Sequence, residues 1–171
     1  MKKMMLAMLF AVSLLPVMAQ QAAPKAPELD YVMQLKVKID AAYTVGDTPH
    51  GRRVIIPITG GTFEGPAIKG KVLSGGADYQ LASADGHRTE LEAIYSIQTD
   101  DGVYIHVRNC GIIATGKDSD GHPSFYFKAA PRFEAPTDSR YAWLNDAIYV
   151  CSPEWSVPVE GTIVLNVWKV R

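Results

Sequence analysis

The sequence predicts an all-β protein, a single antiparallel β-barrel of about eight to nine strands. Three observations predict it: apolar and polar residues alternate in most segments after residue 29, short turn signals separate these segments, and only one stretch has helical potential. The first strand shows the pattern, because Met33, Leu35 and Val37 alternate with polar residues between Tyr31 and Ile39. We prefer a closed barrel to a two-sheet sandwich because closure removes the exposed strand edges that an open sheet must protect.

The remaining strands follow in order, bounded by turn signals rich in Gly, Asp and Pro. Asp85-Gly86 and Asp101-Gly102 are expected to form hairpin loops of type I′, in which both central residues have positive φ. Consecutive strands should therefore be antiparallel neighbours. Asp138–Asn145 is the segment with helical potential, and a short helix or an irregular plug fits it equally well. The predicted strands after the first are Arg53–Ile58, Ala67–Leu73, Asp78–Ala82, Thr89–Gln98, Val103–Asn109, Ser124–Ala129, Ala147–Cys151 and Gly161–Val170.

Residues 1–19 have the features of a secretory signal peptide. A short basic start precedes an apolar run from Met4 to Val17, and small residues stand at −3 and −1 of a cut before Gln20. The run is shorter than the roughly 20 residues of a membrane span. We therefore expect a periplasmic or secreted protein with no membrane insertion after cleavage. It would consist of a flexible tail at residues 20–28 and one barrel domain at residues 29–171.

Composition argues against several classes of protein. The formal net charge is −1, which does not suit the basic face of a nucleic-acid-binding protein. The four histidines and two cysteines show no metal-ligand spacing, so no metal is expected. The sequence contains no P-loop, dinucleotide-binding or G-x-S-x-G motif, and no cofactor is expected. These features leave the oligomeric state open, with a homodimer through the outer barrel face as one option.

The segment Pro57–Gly76 combines six glycines with an isolated carboxylate. Glycine permits close backbone approach, so we expect this segment to form the rim and wall of the barrel. Glu64 is the first candidate acid or base, because burial in a lumen would raise its pKa; a turn cap or an ion pair is the alternative. Asp78 is the second, because two carboxylates in different environments can divide acid and base roles; a turn or capping role is the alternative.

Four further residues are candidates for binding a ligand. Alternation along Val103–Asn109 places Asn109 on the apolar face, which we expect to point inward. Arg132 offers a planar fork to an anionic group, or forms an internal ion pair. Tyr126 and Asn145 suit a pocket for a ring-bearing or mostly apolar molecule, although both residue types are also ordinary in cores.

Cys110 and Cys151 both lie in the part of the chain that we expect to be exported, where two thiols usually pair or stay buried. A bridge would close a loop of about 40 residues and stabilise the fold by roughly 3–4 kcal/mol in the chain-entropy treatment. We take the two as a candidate disulfide, with two free thiols as the alternative.

Five motifs follow one another along the chain: P-I-T-G-G-T-F-E-G-P, G-K-V-L-S-G-G-A-D-Y, Y-I-H-V-R-N-C-G, Y-F-K-A-A-P-R-F-E-A and Y-A-W-L-N. With them the sequence resembles the bacterial and fungal family catalogued as domain of unknown function 3237, over roughly residues 29–170. The resemblance implies a compact barrel similar to the allene oxide cyclase and lipocalin-like barrels, in a family largely without an assigned activity. Cys110 and Cys151 depart from the family pattern, which fits a disulfide added in an exported member.

Three functions remain open at this point. The first, which we favour, is an exported barrel that binds a small organic molecule in its mouth. The second is a cofactor-independent isomerase, cyclase or lyase that uses Glu64 and Asp78 as acid and base. A structural barrel packed solid by side chains is a further alternative. Fold alone does not separate these readings, because one architecture hosts many functions.

Overall fold

A computed structural model of the protein describes residues 23–156 and 158–171. The predicted signal peptide, residues 1–19, and the first residues of the predicted tail lie outside the described residues. No helix in these two ranges has the length and apolar character that crossing a membrane requires. The strands are β1 Leu29–Ile39, β2 Tyr43–Thr48, β3 Gly51–Glu64, β4 Lys69–Val72, β5 Gly76–Ala82, β6 Arg88–Thr99, β7 Tyr104–Lys117, β8 Pro123–Glu134, β9 Tyr149–Pro153 and β10 Thr162–Val170.

The strands form one antiparallel sheet that closes on itself, which confirms the predicted barrel. Closure occurs at β1, which pairs with β10 on one side and with β3 on the other. β1 and β2 share β3 as a partner, and β4 and β5 both lie between β3 and β6. Eight strand positions therefore surround the barrel, and two of them hold interrupted strands. β2 was not predicted from the sequence, because Gly46-Asp47 has the pattern of a turn. In the structure Gly46 lies at a β-bulge within the strand, with φ of 116°.

The two predicted hairpins join β5 to β6 and β6 to β7, but the turns are not of type I′. Gly86 and Gly102 have φ of 72° and 89°, whereas Asp85 and Asp101 keep negative φ. The N–H of Gly102 donates to the carbonyl of Thr99 at 2.9 Å. Because these loops are longer than two residues, an ordinary turn followed by one left-handed glycine reverses the chain.

Glycines of the Pro57–Gly76 segment lie where strands approach closely. A Cβ built on Gly61, which has φ of 132°, would lie 2.0 Å from the carbonyl oxygen of Lys36 on β1. A Cβ on Gly70 would lie 2.1 Å from the carbonyl oxygen of Gln98 on β6. Side chains at these positions would push neighbouring strands apart, so the glycines permit the barrel to close tightly.

Side chains fill one end of the barrel. A 3-10 helix, Ala142–Asp146, seats Leu144 there with 1% of its surface exposed. The rings of Phe133 and Tyr149 meet edge to face, with centroids 5.0 Å apart. The Tyr141 hydroxyl donates to Asp101 Oδ1 at 2.8 Å and ties this segment to the β6–β7 hairpin. The segment predicted as a short helix or plug therefore contains a short helix that seals this end.

Candidate functional site

The other end of the barrel holds a cavity of about 210 Å³. Its walls are mostly apolar, and the rings of Phe125, Phe127 and Trp155 lie at its mouth. The Trp155 ring, just after β9, lies 6.4 Å from that of Phe125 and 6.2 Å from that of Phe127. β8 and β9 share one registered pair, Ala129 with Cys151, so their ladder is short beside these rings. Apolar enclosure with few polar groups is typical of small-molecule sites.

Asp78 is the acidic residue in the cavity wall. Asp78 and Gln80 are alternate residues of β5 and both line the cavity. The Gln80 Nε2 donates to Asp78 Oδ2 at 2.8 Å, and the backbone N–H of Glu92 on β6 donates to Asp78 Oδ1 at 3.0 Å. Both carboxyl oxygens are therefore held by N–H donors, and the side chain has a defined orientation.

Burial raises the pKa of the Asp78 carboxyl above its ordinary value, although the hydrogen bonds from Gln80 and the Glu92 backbone work in the opposite direction. Among the described residues, no Lys, Arg or His lines the cavity. Desolvation therefore disfavours the negative charge without a nearby cation to offset it. A carboxyl in this environment can exchange a proton with a ligand, or it can form an ion pair with a positively charged group of the ligand.

Asn109 lies in the same wall, two strands away. Ala93 on β6 pairs with Asp78 on one side and with Asn109 on the other, so the two polar residues are roughly 10 Å apart along the sheet. Asn109 is 7% exposed, and its Nδ2 donates to the Cys151 Sγ at 3.5 Å. The small side chain of Ala93 leaves space between the two polar groups.

Tyr95 and Cys151 lie where the cavity meets the packed core. Tyr95 is 4% exposed, and burial, with a smaller contribution from Cys151, raises the pKa of its hydroxyl. Burial also raises the pKa of the Cys151 thiol, partly offset by the hydrogen bond from Asn109. Burial therefore favours the uncharged form of both groups, which is a poor nucleophile.

Of the six residues singled out from the sequence as catalytic or ligand-binding, Asp78 and Asn109 line the cavity and four do not. Glu64 is exposed, because Phe63 before it points into the core with 2% exposure and alternation turns Glu64 outward. Glu64 therefore does not share the cavity with Asp78: it pairs with Gln34 on β1, toward the packed end.

Tyr126, Arg132 and Asn145 also lie away from the cavity interior. Tyr126 and Arg132 are exposed on the outer face of β8, since Phe127 and Phe133 take the inward positions. Asn145 lies at the packed end, where its side chain accepts from the backbone N–H of Ala135 at 2.8 Å and donates to its carbonyl at 3.0 Å. Its role in the fold is to hold the 3-10 helix against the end of β8.

Three cavity groups were missed from the sequence. Gln80 follows Asp78 by two residues, so strand alternation alone would have placed it on the same face. Tyr95 lies two residues after Ala93 on β6, and the same argument would have found it. Trp155 lies in an irregular segment, and no sequence signal connects it with the rings of β8.

The predicted disulfide between Cys110 and Cys151 is contradicted. Both thiols are free, with Cys110 exposed and Cys151 buried. Cys110 is on β7 and Cys151 on β9, with β8 between them, which separates their Cα atoms by roughly 10 Å. A disulfide requires about 7 Å or less and converging side chains, whereas one of these side chains points out of the barrel and the other points in.

The surface of the barrel has two further features. A more open groove of about 640 Å³ crosses the outer face of the barrel and includes Glu92 and Cys110. Asp118, Asp120 and His122 cluster within the described residues, but all three are exposed in the β7–β8 hairpin, where Asp118 Oδ1 accepts from the backbone N–H groups of Asp120 and His122 and shapes the turn. The interior cavity differs from both because its polar groups converge inside an apolar enclosure.

Comparison with known proteins places the chain in a family. A protein of Bradyrhizobium diazoefficiens described as a UPF0311 protein is 38% identical over 138 residues, covering 74% of this chain and 88% of that protein. A β-barrel-like protein from Acinetobacter baumannii has a crystal structure with a TM-score of 0.73 at 30% identity, covering 88% of this chain and all of that one.

An enzyme from Penicillium herquei has a TM-score of 0.67 at 24% identity, with 88% of this chain and 98% of that chain covered, which shows a shared fold. The family described as "Protein of unknown function (DUF3237)" matches residues 27–170. That match spans the whole barrel, as the sequence motifs predicted. The chain therefore belongs to the DUF3237 family of small β-barrel proteins.

Proposed function

We propose that this protein binds a small organic molecule inside the barrel, in the cavity beside Asp78. The observation that carries the proposal is the asymmetry of the barrel, which is packed at one end and hollow at the other. A purely structural barrel of this size would be filled by side chains throughout. The cavity also brings together a carboxyl, two amides and a phenol in an apolar enclosure, and such groups orient a ligand.

The volume and lining of the cavity restrict the size and polarity of the ligand. A volume of about 210 Å³ suits a molecule with one ring or a short branched chain. Apolar walls favour a hydrocarbon or aromatic body, while Asp78, Gln80 and Asn109 provide hydrogen bonds at one side. Trp155, 55% exposed at the mouth, is placed to cover an occupant.

The proposal is tested with a matched pair of cavity and surface variants. Ala93→Phe fills the space between Asp78 and Asn109, whereas Ala130→Phe adds the same ring at an exposed position on β8. Calorimetric titration with indole, a small ring with one N–H donor, should give saturable binding to the wild type and to Ala130→Phe. Ala93→Phe should bind at least about tenfold more weakly. Thermal unfolding of both variants verifies that they are folded, because overpacking costs about 1–3 kcal/mol.

Native mass spectrometry of the protein purified from its own source provides a second measurement. A small molecule that is retained in the native spectrum and lost on denaturation would support binding and identify the ligand class. The denatured mass would also show whether the chain starts at Gln20, which tests the proposed export to the periplasm or medium. The proposal would be overturned if no molecule is retained and neither indole, 2-phenylethylamine, 2-phenylethanol nor phenylacetate binds.

A second candidate function is proton transfer on a bound substrate, without a cofactor. Burial raises the pKa of Asp78 toward the range useful in an acid or base, and Asn109 could donate a hydrogen bond to a developing oxyanion. Glu64 has no part in this version, since it lies outside the barrel. Once a ligand is identified, product formation that persists in Asp78→Asn would exclude this candidate while leaving the binding function intact.

A further inference from the structure

The Asp78 carboxyl lies in the cavity without a cation beside it. None of the ion pairs among the described residues includes Asp78. Two arginines on neighbouring strands are bonded elsewhere: Arg108 donates from Nε to Glu92 Oε1 at 2.8 Å, and Arg53 donates to the carbonyl of Tyr79 at 2.8 Å. Buried charges in proteins are usually paired, so this carboxyl lacks a normal partner.

The hydrogen bonds around Asp78 suit its ionised form. Each carboxyl oxygen accepts from an N–H group, one on Gln80 and one on the Glu92 backbone. With the Gln80 amide oriented in this way, both N–H donors favour the carboxylate and oppose the effect of burial on its pKa. When this carboxyl is ionised, the described residues supply no counter-ion for it.

The mouth of the cavity adds a second feature that favours positive charge. Phe125, Phe127 and Trp155 place three aromatic rings around the entrance, with centroids within 6.4 Å of the Trp155 ring. The faces of such rings attract organic cations, and the tryptophan face does so most strongly. The other titratable groups at the cavity, Tyr95 and Cys151, are buried and carry no positive charge.

We propose that the cavity selects an organic ammonium ion, with Asp78 as its counter-ion and the aromatic mouth around its apolar part. The inference rests on the proposed binding function and names its ligand class. Amines with a single ring or a short branched chain fit the volume, and carboxylate ligands are excluded by repulsion from Asp78. Charge-assisted hydrogen bonds to the ammonium group supply the selectivity.

Three probes of one size separate charge from shape: 2-phenylethylamine, 2-phenylethanol and phenylacetate. Calorimetric titration of the wild type at neutral pH should show the amine binding at least about tenfold tighter than the alcohol, and no binding of phenylacetate. This comparison needs no variant, so it remains decisive even if a substitution unfolds the protein.

Two variants then test whether the preference for the amine depends on the Asp78 carboxyl. Asp78→Asn should bring the amine to within about twofold of the alcohol, because the shape is kept and the charge is lost. Glu92→Gln removes a carboxyl that faces outward on the neighbouring strand and keeps its backbone N–H, so the amine preference should persist.

Equal binding of amine and alcohol to the wild type would overturn the ammonium inference and leave the binding function standing, with a neutral ligand. Binding of indole without binding of any of the three probes would have the same meaning. Failure of indole and all three probes would contradict both proposals. An amine preference that survives in Asp78→Asn would refute the assignment of Asp78 as counter-ion.

Discussion

Replacing Gly61 by alanine should open the barrel at its closing strand pair. Gly61 lies on β3 opposite Val37 on β1, the pairing through which the sheet closes. An added Cβ would lie 2.0 Å from the carbonyl oxygen of Lys36, and Cβ atoms essentially never lie closer than 3.0 Å to such a group. The two strands must therefore separate by about 1 Å at this point.

The loss of folding stability in Gly61→Ala has two contributions. An L-residue at the positive φ of Gly61 is strained by roughly 1–2 kcal/mol. Separation by about 1 Å breaks the adjacent ladder hydrogen bonds, and the loss of two bonds adds about 2 kcal/mol. The expected destabilisation is therefore about 3–4 kcal/mol, or a fall in Tm of roughly 6–16 °C for a domain of this size.

Gly75→Ala is the matched control. Gly75 also has positive φ, at 101°, but a Cβ there would meet nothing within 4 Å. This variant should therefore lose only the backbone term, roughly 1–2 kcal/mol. Both are compared with the wild type by thermal and urea unfolding followed by circular dichroism. If Gly61→Ala is no less stable than Gly75→Ala, close approach of β1 and β3 is not what requires glycine at this position.

Two further predictions concern titration and thiols. Because burial raises the pKa of Asp78, the folded protein holds this proton more tightly than the unfolded chain, so stability falls as pH rises above the ordinary value of 3.8. Asp78→Asn should therefore have a higher Tm than the wild type at about pH 7 and no advantage at about pH 3; a lower Tm at pH 7 would contradict this. A maleimide should label Cys110 in the native protein and Cys151 only after denaturation, as read by intact mass. An intact mass that is lower by two hydrogens would show instead that Cys110 and Cys151 form a disulfide.

The alternation of apolar and polar residues within each strand made much of the architecture predictable from the sequence. The pattern Val103–Asn109 predicted that Asn109 points inward, and the structure agrees. The same period-two rule, applied to β8, would have turned Tyr126 and Arg132 outward before the structure was known. Residues whose position depends on the strand period were therefore predictable even where they were misassigned.

The sequence by itself determined the all-β class, most of the strands and which residues share a face, because a strand's side chains alternate whatever it pairs with. The tertiary structure alone decided that the cavity lies at one end, since the segment with Leu144 fills the other. It also decided that Asp78 shares that cavity with Asn109, while Glu64 does not. These placements depend on strand order and closure between residues far apart in the chain, and no local pattern encodes either.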